Sequence, residues 1–199
     1  MPKARPLDIF IVAEQFRFTG KLATLIPHHP VFRIPQLEFA RDQNLPTASM
    51  VCAAFSLELY FKCLIRIGRK SFGREHDLLK LFALVGRRNR AKIKKYWNAN
   101  AAIVRSYVER TFEDDGLTPP RVDFNYVLSA SKDAFIAMRY VYEKGIETNE
   151  GWLADTIVEG ARRAILDIHP EWENARQKEP RPETSFPFNI APIHGGRND

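Results

Sequence analysis

The stretch TASMVCAAFSLELYFKCLIRI, residues 47–67, is the strongest indication of how this chain folds. Between Ser49 and Ile65 it carries only two charged residues, and its apolar side chains surround almost the whole circumference of a helix. A helix of this kind is buried on most sides. At about 1.5 Å per residue it spans roughly 30 Å, but its charges distinguish it from a membrane span. We therefore expect a central core helix, at about residues 46–69, around which the other helices pack.

The two charged residues of this stretch are Glu58 and Lys62, which stand one helical turn apart on one face. Charged side chains within an apolar helix need partners. In one interpretation they form a structural ion pair, completed by Arg139 or by a tyrosine hydroxyl from another helix. In the other they form the floor of a site and orient a catalytic group or a bound phosphate.

Length and charge limit the class of protein. The 199 residues, 45% of them hydrophobic, are enough for one domain with a sizeable core. The net charge of +6 is unevenly spread, because residues 66–95 hold eleven Lys and Arg while residues 145–173 hold seven Asp and Glu. This asymmetry predicts either polyanion binding by the basic stretch or pairing of a basic with an acidic face, within or between subunits.

Cysteines and motifs exclude several classes of function. Cys52 and Cys63 lie about 16 Å apart along the core helix and cannot form a disulfide with each other. No secretory leader or long apolar run is present, which predicts a cytoplasmic protein with reduced thiols and no membrane segment. The sequence contains no C-x-x-C, H-E-x-x-H or Gly-rich phosphate loop, so no metal or other cofactor is expected.

The remaining segments predict an all-α bundle of about five to seven helices. Further helices are expected at residues 7–25, 76–86, 87–112, 123–144 and 152–168, with Gly86 as the cap that ends the second of these. The helix at 87–112 is either one long helix or a broken one. No strand pattern stands out.

The chain changes character at Glu173, where it becomes rich in proline and polar residues. Here Phe186, Phe188 and Ile190 alternate with other residues, a period of two that suits an extended strap laid in a groove. A disordered tail is the alternative. The sequence thus predicts a helical domain over residues 1–172 and an extended C-terminal tail over residues 173–199.

Three groups of residues together resemble one protein family. They are a Glu/Lys pair within an apolar helix, a His-Asp-Leu step that opens a helix, and a later helix with Arg-Tyr and Tyr-Glu. In this chain the groups are Leu57, Glu58, Leu59 and Lys62; His76, Asp77, Leu78 and Leu81; and Arg139, Tyr140, Tyr142 and Glu143. This pattern resembles the HEPN superfamily, and most closely its uncharacterised bacterial branches. The likeness covers roughly residues 47–145.

The resemblance implies a helical bundle that forms a homodimer. Many HEPN proteins are metal-independent ribonucleases whose motif is an Arg, four to six residues, and then a His. Arg69 and His76 fit this spacing, and so do Arg163 and His169, and Arg162 with the same His169. Other members bind only RNA or a protein partner.

His76 is the residue selected as the catalytic base, with Arg69 as the residue that stabilises the reacting phosphate. At a helix N-terminus an imidazolium is disfavoured by the helix dipole, so His76 is expected to be neutral and able to accept a proton. Its alternative role is to cap the helix. Arg69, Lys70 and Arg74 form either a solvated surface or, because His76 is nearby, a clamp for RNA phosphates. Lys70 stands where the family motif has a polar residue within a helix.

Two hypotheses of function follow. In the first, the protein binds RNA through its basic middle and cleaves it without a metal. In the second, it is a non-catalytic module that dimerises or binds a protein partner through the bundle and the strap. Tyr96 and Trp97 fit either hypothesis, because aromatic residues at helical spacing serve as core or as stacking platforms for bases.

Overall fold

The computed structural model describes residues 4–25, 45–114, 116, 118–119, 121–131 and 154–177. These residues form six α-helices and one 3-10 helix, and none of them lies in a strand, which confirms the all-α fold. The α-helices are α1 (Pro6–Leu25), α2 (Leu45–Ile67), α3 (Leu78–Leu84), α4 (Arg87–Asp114), α5 (Phe124–Ser131) and α6 (Asp155–Leu166). The 3-10 helix is Pro170–Gln177.

Helix α2 is the central helix of the bundle, as predicted. Leu57, Tyr60 and Phe61 are each 0% exposed. Helices α1, α3 and α6 all pack against it, so apolar side chains on every side of α2 are covered. None of the described helices combines the length and the apolar character that a membrane crossing would require.

Helices α1 and α2 form the most extensive contact in the bundle. A glycine, Gly20, allows their backbones to approach closely. A Cβ atom at this position would lie 3.1 Å from the Cβ of Cys52 and 3.3 Å from the carbonyl oxygen of Ser49. A side chain at this position would require the two helices to move apart by a few tenths of an ångström.

A chain of aromatic rings joins four helices across the core. The ring centroids of Phe61 and Phe82 lie 5.5 Å apart, those of Phe82 and Phe124 lie 5.0 Å apart, and those of Phe124 and Trp97 lie 6.1 Å apart. These rings come from α2, α3, α5 and α4 in turn. Trp97 is almost wholly buried and therefore belongs to the core, so it is not a stacking platform for bases.

Several helix ends differ from the sequence-based expectation. Helix α3 has seven residues, about two turns, because Val85 leaves the helical conformation at ψ 139° and caps the helix one residue before Gly86. Helix α4 is unbroken over 28 residues. Helix α6 covers Asp155–Leu166, the inner part of the range expected to be helical.

The folded part of the chain continues past residue 172. Trp172 packs on Phe10 with a centroid distance of 5.6 Å, and Glu173 lies 3.6 Å from Arg162. Residues 173–177 belong to the 3-10 helix Pro170–Gln177, whereas the sequence predicted an extended tail from residue 173. The strap at 186–190, and the part of the fifth predicted helix beyond Ser131, lie outside the described residues.

A partly buried network of charged groups joins α1, α2 and α6. The Glu14 carboxylate accepts hydrogen bonds from the Tyr60 hydroxyl, from Arg162 Nε at 2.9 Å and from the Arg17 guanidinium at 2.9 Å. Burial alone would raise the pKa of Glu14, but the hydrogen bonds from Arg17 and Tyr60 and the two arginine charges hold it below its usual value. The network thus stabilises the ionised carboxylate.

Both cysteines are free thiols, as predicted. Cys63 is buried, and its Sγ donates to the carbonyl oxygen of Pro6 at 3.3 Å. Burial raises the pKa of Cys63 to about 12, so this thiol is protonated and unreactive at neutral pH.

Replacing Phe61 with alanine should destabilise the protein by about 3–5 kcal/mol, because it leaves a cavity at the meeting point of α2 and α3. A denaturant titration monitored by circular dichroism measures this loss. The control is Ile103→Ala in α4, since Ile103 is 71% exposed and should have little effect. Equal stability of the Phe61→Ala variant and the wild type would contradict the central position of α2.

Replacing Glu14 with glutamine should make stability less sensitive to acid. A carboxylate whose pKa is depressed by folding contributes stability above its unfolded pKa and loses it as pH falls through the folded value. Thermal melts from pH 7 to pH 3 should therefore show a steeper fall below about pH 4.5 for the wild type than for Glu14→Gln. Glu113→Gln, at an exposed position of α4, is the control and should follow the wild type.

Candidate functional site

A buried carboxylate and an exposed imidazole meet at one end of the bundle. Oε1 of Glu58 accepts a hydrogen bond from Lys62 Nζ at 2.6 Å and lies 2.9 Å from His76 Nδ1. Glu58 is 4% exposed, whereas the His76 side chain is 62% exposed. We call Glu58 and His76 the dyad. Glu58 thus has Lys62 and His76 as partners, where the sequence predicted Lys62 with Arg139 or a tyrosine hydroxyl.

The loop between α2 and α3 positions His76. The Glu75 carboxylate accepts from the backbone N–H of His76 at 3.1 Å and of Asp77 at 3.0 Å, and the hydrogen bond from Asp77 in particular lowers the pKa of Glu75. Asp77 is the N-cap of α3 and accepts from the N–H groups of Leu79 and Lys80. The capping role considered for His76 therefore belongs to Asp77, and the His76 ring is free to face Glu58.

The contact with Glu58 fixes the tautomer of His76. A carboxylate paired with a lysine accepts hydrogen bonds and has none to donate, so Nδ1 must carry the proton. In the neutral ring Nε2 then keeps its lone pair. Since most of the His76 side chain is exposed, this lone pair is available to a substrate.

Two cations and an aromatic ring extend the site along α2. Lys62 and Arg66 follow Glu58 at successive helical turns. Lys62 Nζ and Arg66 Cζ each lie 5.3 Å from the centroid of the Phe72 ring. Phe72 and Arg66 are not among the site residues predicted from the sequence, although the four-residue spacing of Glu58, Lys62 and Arg66 is visible there.

The other residues selected from the sequence have different surroundings. Arg69, in the left-handed conformation at φ 58°, and Arg74 are exposed and have no acidic partner in the described part of the chain. Lys70 is exposed, but its Nζ donates to the carbonyl oxygen of Leu84 at 3.2 Å. Arg139 lies outside the described residues.

The second pair that fits the Arg-to-His spacing is occupied by packing contacts. The His169 ring stacks on Trp172 at 4.0 Å, and its Nδ1 lies 3.0 Å from Glu171. Arg163 lies over the Tyr96 ring and pairs with Glu159, while Arg162 belongs to the Glu14 network. These contacts give His169 and its arginines structural roles.

Some cations of the basic stretch 66–95 make side-chain contacts within the fold, and others make none. Lys92 pairs with Asp167 at 2.8 Å, which joins the basic and acidic segments within one chain. Lys94 lies over the Phe82 and Phe124 rings. The cations of this stretch that contact no acidic group, carbonyl oxygen or aromatic ring among the described residues are Arg69, Arg74, Arg87, Arg88, Arg90 and Lys95.

Within the described ranges, no three His, Cys, Asp or Glu side chains are grouped closely enough to hold a metal ion. Comparison of the chain with protein-family models, curated proteins and solved structures finds no match. Any function assigned to this protein therefore rests on its own residues. They provide an imidazole held by a buried carboxylate, beside a loop of unpaired arginines.

Proposed function

We propose that this protein is a metal-independent endoribonuclease of the HEPN type, which binds RNA through its basic middle segment and cleaves it at His76. The observation that supports the proposal is the dyad, in which Glu58 leaves Nε2 of an exposed imidazole free to accept a proton. A base oriented by a buried carboxylate is a recurring arrangement in enzymes that activate a hydroxyl group.

The reaction follows from the chemistry of RNA. Nε2 of His76 takes the proton from a ribose 2′-hydroxyl, and the 2′-oxygen attacks the adjacent phosphorus. The bond from phosphorus to the 5′-oxygen breaks, and the leaving oxygen takes a proton from water. The products are a 2′,3′-cyclic phosphate end and a free 5′-hydroxyl end. DNA, which lacks the 2′-hydroxyl, is not a substrate.

Glu58 and the arginines have separate roles in this mechanism. Glu58 is a positioning residue, because it holds the ring and its tautomer and balances the positive charge of the protonated imidazole. Arg69 or Arg74 stabilises the negative charge of the five-coordinate phosphorane. Arg87, Arg88, Arg90 and Lys95, at the start of α4, hold the flanking phosphates with little regard to base sequence.

We also propose a homodimer, which the resemblance to HEPN proteins implies. The charge asymmetry gives this proposal less support than the sequence indicated, because Lys92 and Asp167 join the basic and acidic segments within one chain. Dimerisation or a protein partner without catalysis is the function that remains if RNA is neither bound nor cleaved.

Purified protein should cleave single-stranded RNA in the presence of a chelator, spare DNA of the same sequence and leave cyclic phosphate ends. His76→Ala should lower the rate by roughly 10²–10⁴, the usual contribution of general acid–base catalysis. Binding of RNA should be nearly unchanged, because His76 contributes little of the electrostatic attraction. Gel analysis of end-labelled RNA and chemical identification of the termini provide the measurement.

His169→Ala is the matched control, since His169 fits the same Arg-to-His spacing but stacks on Trp172. It should retain full activity. Because the His76 side chain is largely exposed, His76→Ala should keep its fold, and a thermal melt checks this. Binding without cleavage by the wild type would leave only the RNA-binding half of the proposal.

The homodimer predicts a solution mass of about twice the 22.9 kDa of the chain. Light scattering coupled to size exclusion over a range of protein and salt concentrations measures it. If exposed charges make the contact, dissociation should increase with salt, because salt screens such charges. A monomer at every concentration would exclude the dimer.

A further inference from the structure

Arg66 has no anionic partner, and it lies about two helical turns beyond Glu58 on α2. It makes no hydrogen bond or ion pair within the described residues, and its Nε is buried without an acceptor. The guanidinium of Arg66 lies over the Phe72 ring, with Cζ 5.3 Å from the ring centroid. The terminal nitrogens of the guanidinium are not sealed from solvent, since Nε is the atom of this side chain that is both buried and unpaired.

A buried donor without an acceptor destabilises a folded protein, because its lost hydration is not replaced. Such groups are rare in native structures, and each one calls for an explanation in terms of strain, function or an absent ligand. The arrangement at Arg66 fits a ligand. Phe72 lies against the guanidinium, whose terminal nitrogens form a planar fork that matches a phosphate.

The charges around Arg66 determine what that ligand must be. The positive charge of Lys62 is matched by Glu58 at 2.6 Å, so the charge of Arg66 is left without compensation. An anionic group is therefore favoured, and a phosphodiester of a nucleic acid supplies both the charge and the two acceptor oxygens. Phe72 holds Lys62 and Arg66 on the same ring and so aligns the two cations.

We propose that Arg66 binds a phosphate of the RNA strand next to the one that is cleaved. This inference rests on the proposed ribonuclease function and adds a specific substrate contact to it. Glu58 and Arg66 are eight residues apart on α2, so their Cα atoms are separated by about 12 Å along the helix axis. Arg66 is thus a binding residue for the strand, whereas His76 acts at the reacting phosphate.

The experiment measures binding of a 2′-O-methyl RNA oligonucleotide, which cannot be cleaved because its 2′-oxygen is blocked. Fluorescence anisotropy at several salt concentrations gives the affinity and its salt dependence. Arg66→Met keeps an apolar side chain on Phe72 and removes the charge. It should weaken binding roughly 10-fold and reduce the slope of log K against log salt by about 0.7, the value for one phosphate of a single strand.

Two further variants serve as controls. Arg66→Lys keeps the charge but lacks the planar fork, so its affinity should lie between those of the wild type and Arg66→Met. Arg110→Met removes an exposed arginine of α4 outside the basic stretch and should leave affinity and slope unchanged. The melting temperature of Arg66→Met should equal or exceed that of the wild type, because the substitution removes an unpaired buried donor.

Unchanged affinity and salt slope in Arg66→Met would overturn the inference, and the ribonuclease proposal would stand if the wild type binds and cleaves RNA. Equal losses in Arg66→Met and Arg110→Met would also overturn it, because they would show an effect of net charge alone. Failure of the wild-type protein to bind the oligonucleotide would overturn both proposals.

Discussion

Helix α2 is enclosed on nearly every side, so the polar groups on it must find their partners inside the protein. Two residues show how this is done. The Tyr60 hydroxyl donates to Glu14, which also accepts from the arginines of α1 and α6. Glu58 contacts Lys62 and His76. Because Tyr60 and Glu58 are two positions apart in a helix, they point about 200° away from each other. The Glu14 network joins three helices of the bundle, and the Glu58 network includes the exposed side chain of His76.

The two networks differ in how completely they are satisfied. Glu14 is surrounded by donors from three helices, which fixes its ionised form and ties those helices together. Glu58 also has its donors, but one of them is an imidazole whose second nitrogen is left for solvent. A further turn along α2, Arg66 Nε lacks any acceptor. The open nitrogen of His76 and the unpaired Nε of Arg66 are both associated with the stretch of α2 from Glu58 to Arg66, which is where we propose chemistry.

The basic middle of the chain has more than one function in the fold. Lys92 fastens α4 to the end of α6, and Lys94 covers two aromatic rings of the core. Close to these positions in the sequence, Arg87, Arg88, Arg90 and Lys95 have no acidic partner among the described residues. A count of charges along the sequence treats all of these residues alike, although only Lys92 and Lys94 are engaged in contacts within the fold.

Hydrophobic periodicity reports burial directly, so the sequence predicts the helical class, the central helix and the burial of Leu57 and Phe61. The spacing of the two cysteines predicts free thiols. For Trp97 the sequence left core and base-stacking roles open, and the structure places the ring in the core. The sequence also singled out Glu58, Lys62 and His76. Three contacts became visible only in the folded structure. His76 contacts Glu58, Asp77 caps α3, and His169 stacks on Trp172. The folded structure alone revealed the Glu14 network and the unpaired Nε of Arg66. Such contacts join residues far apart in the chain or depend on side-chain direction, which no local pattern encodes.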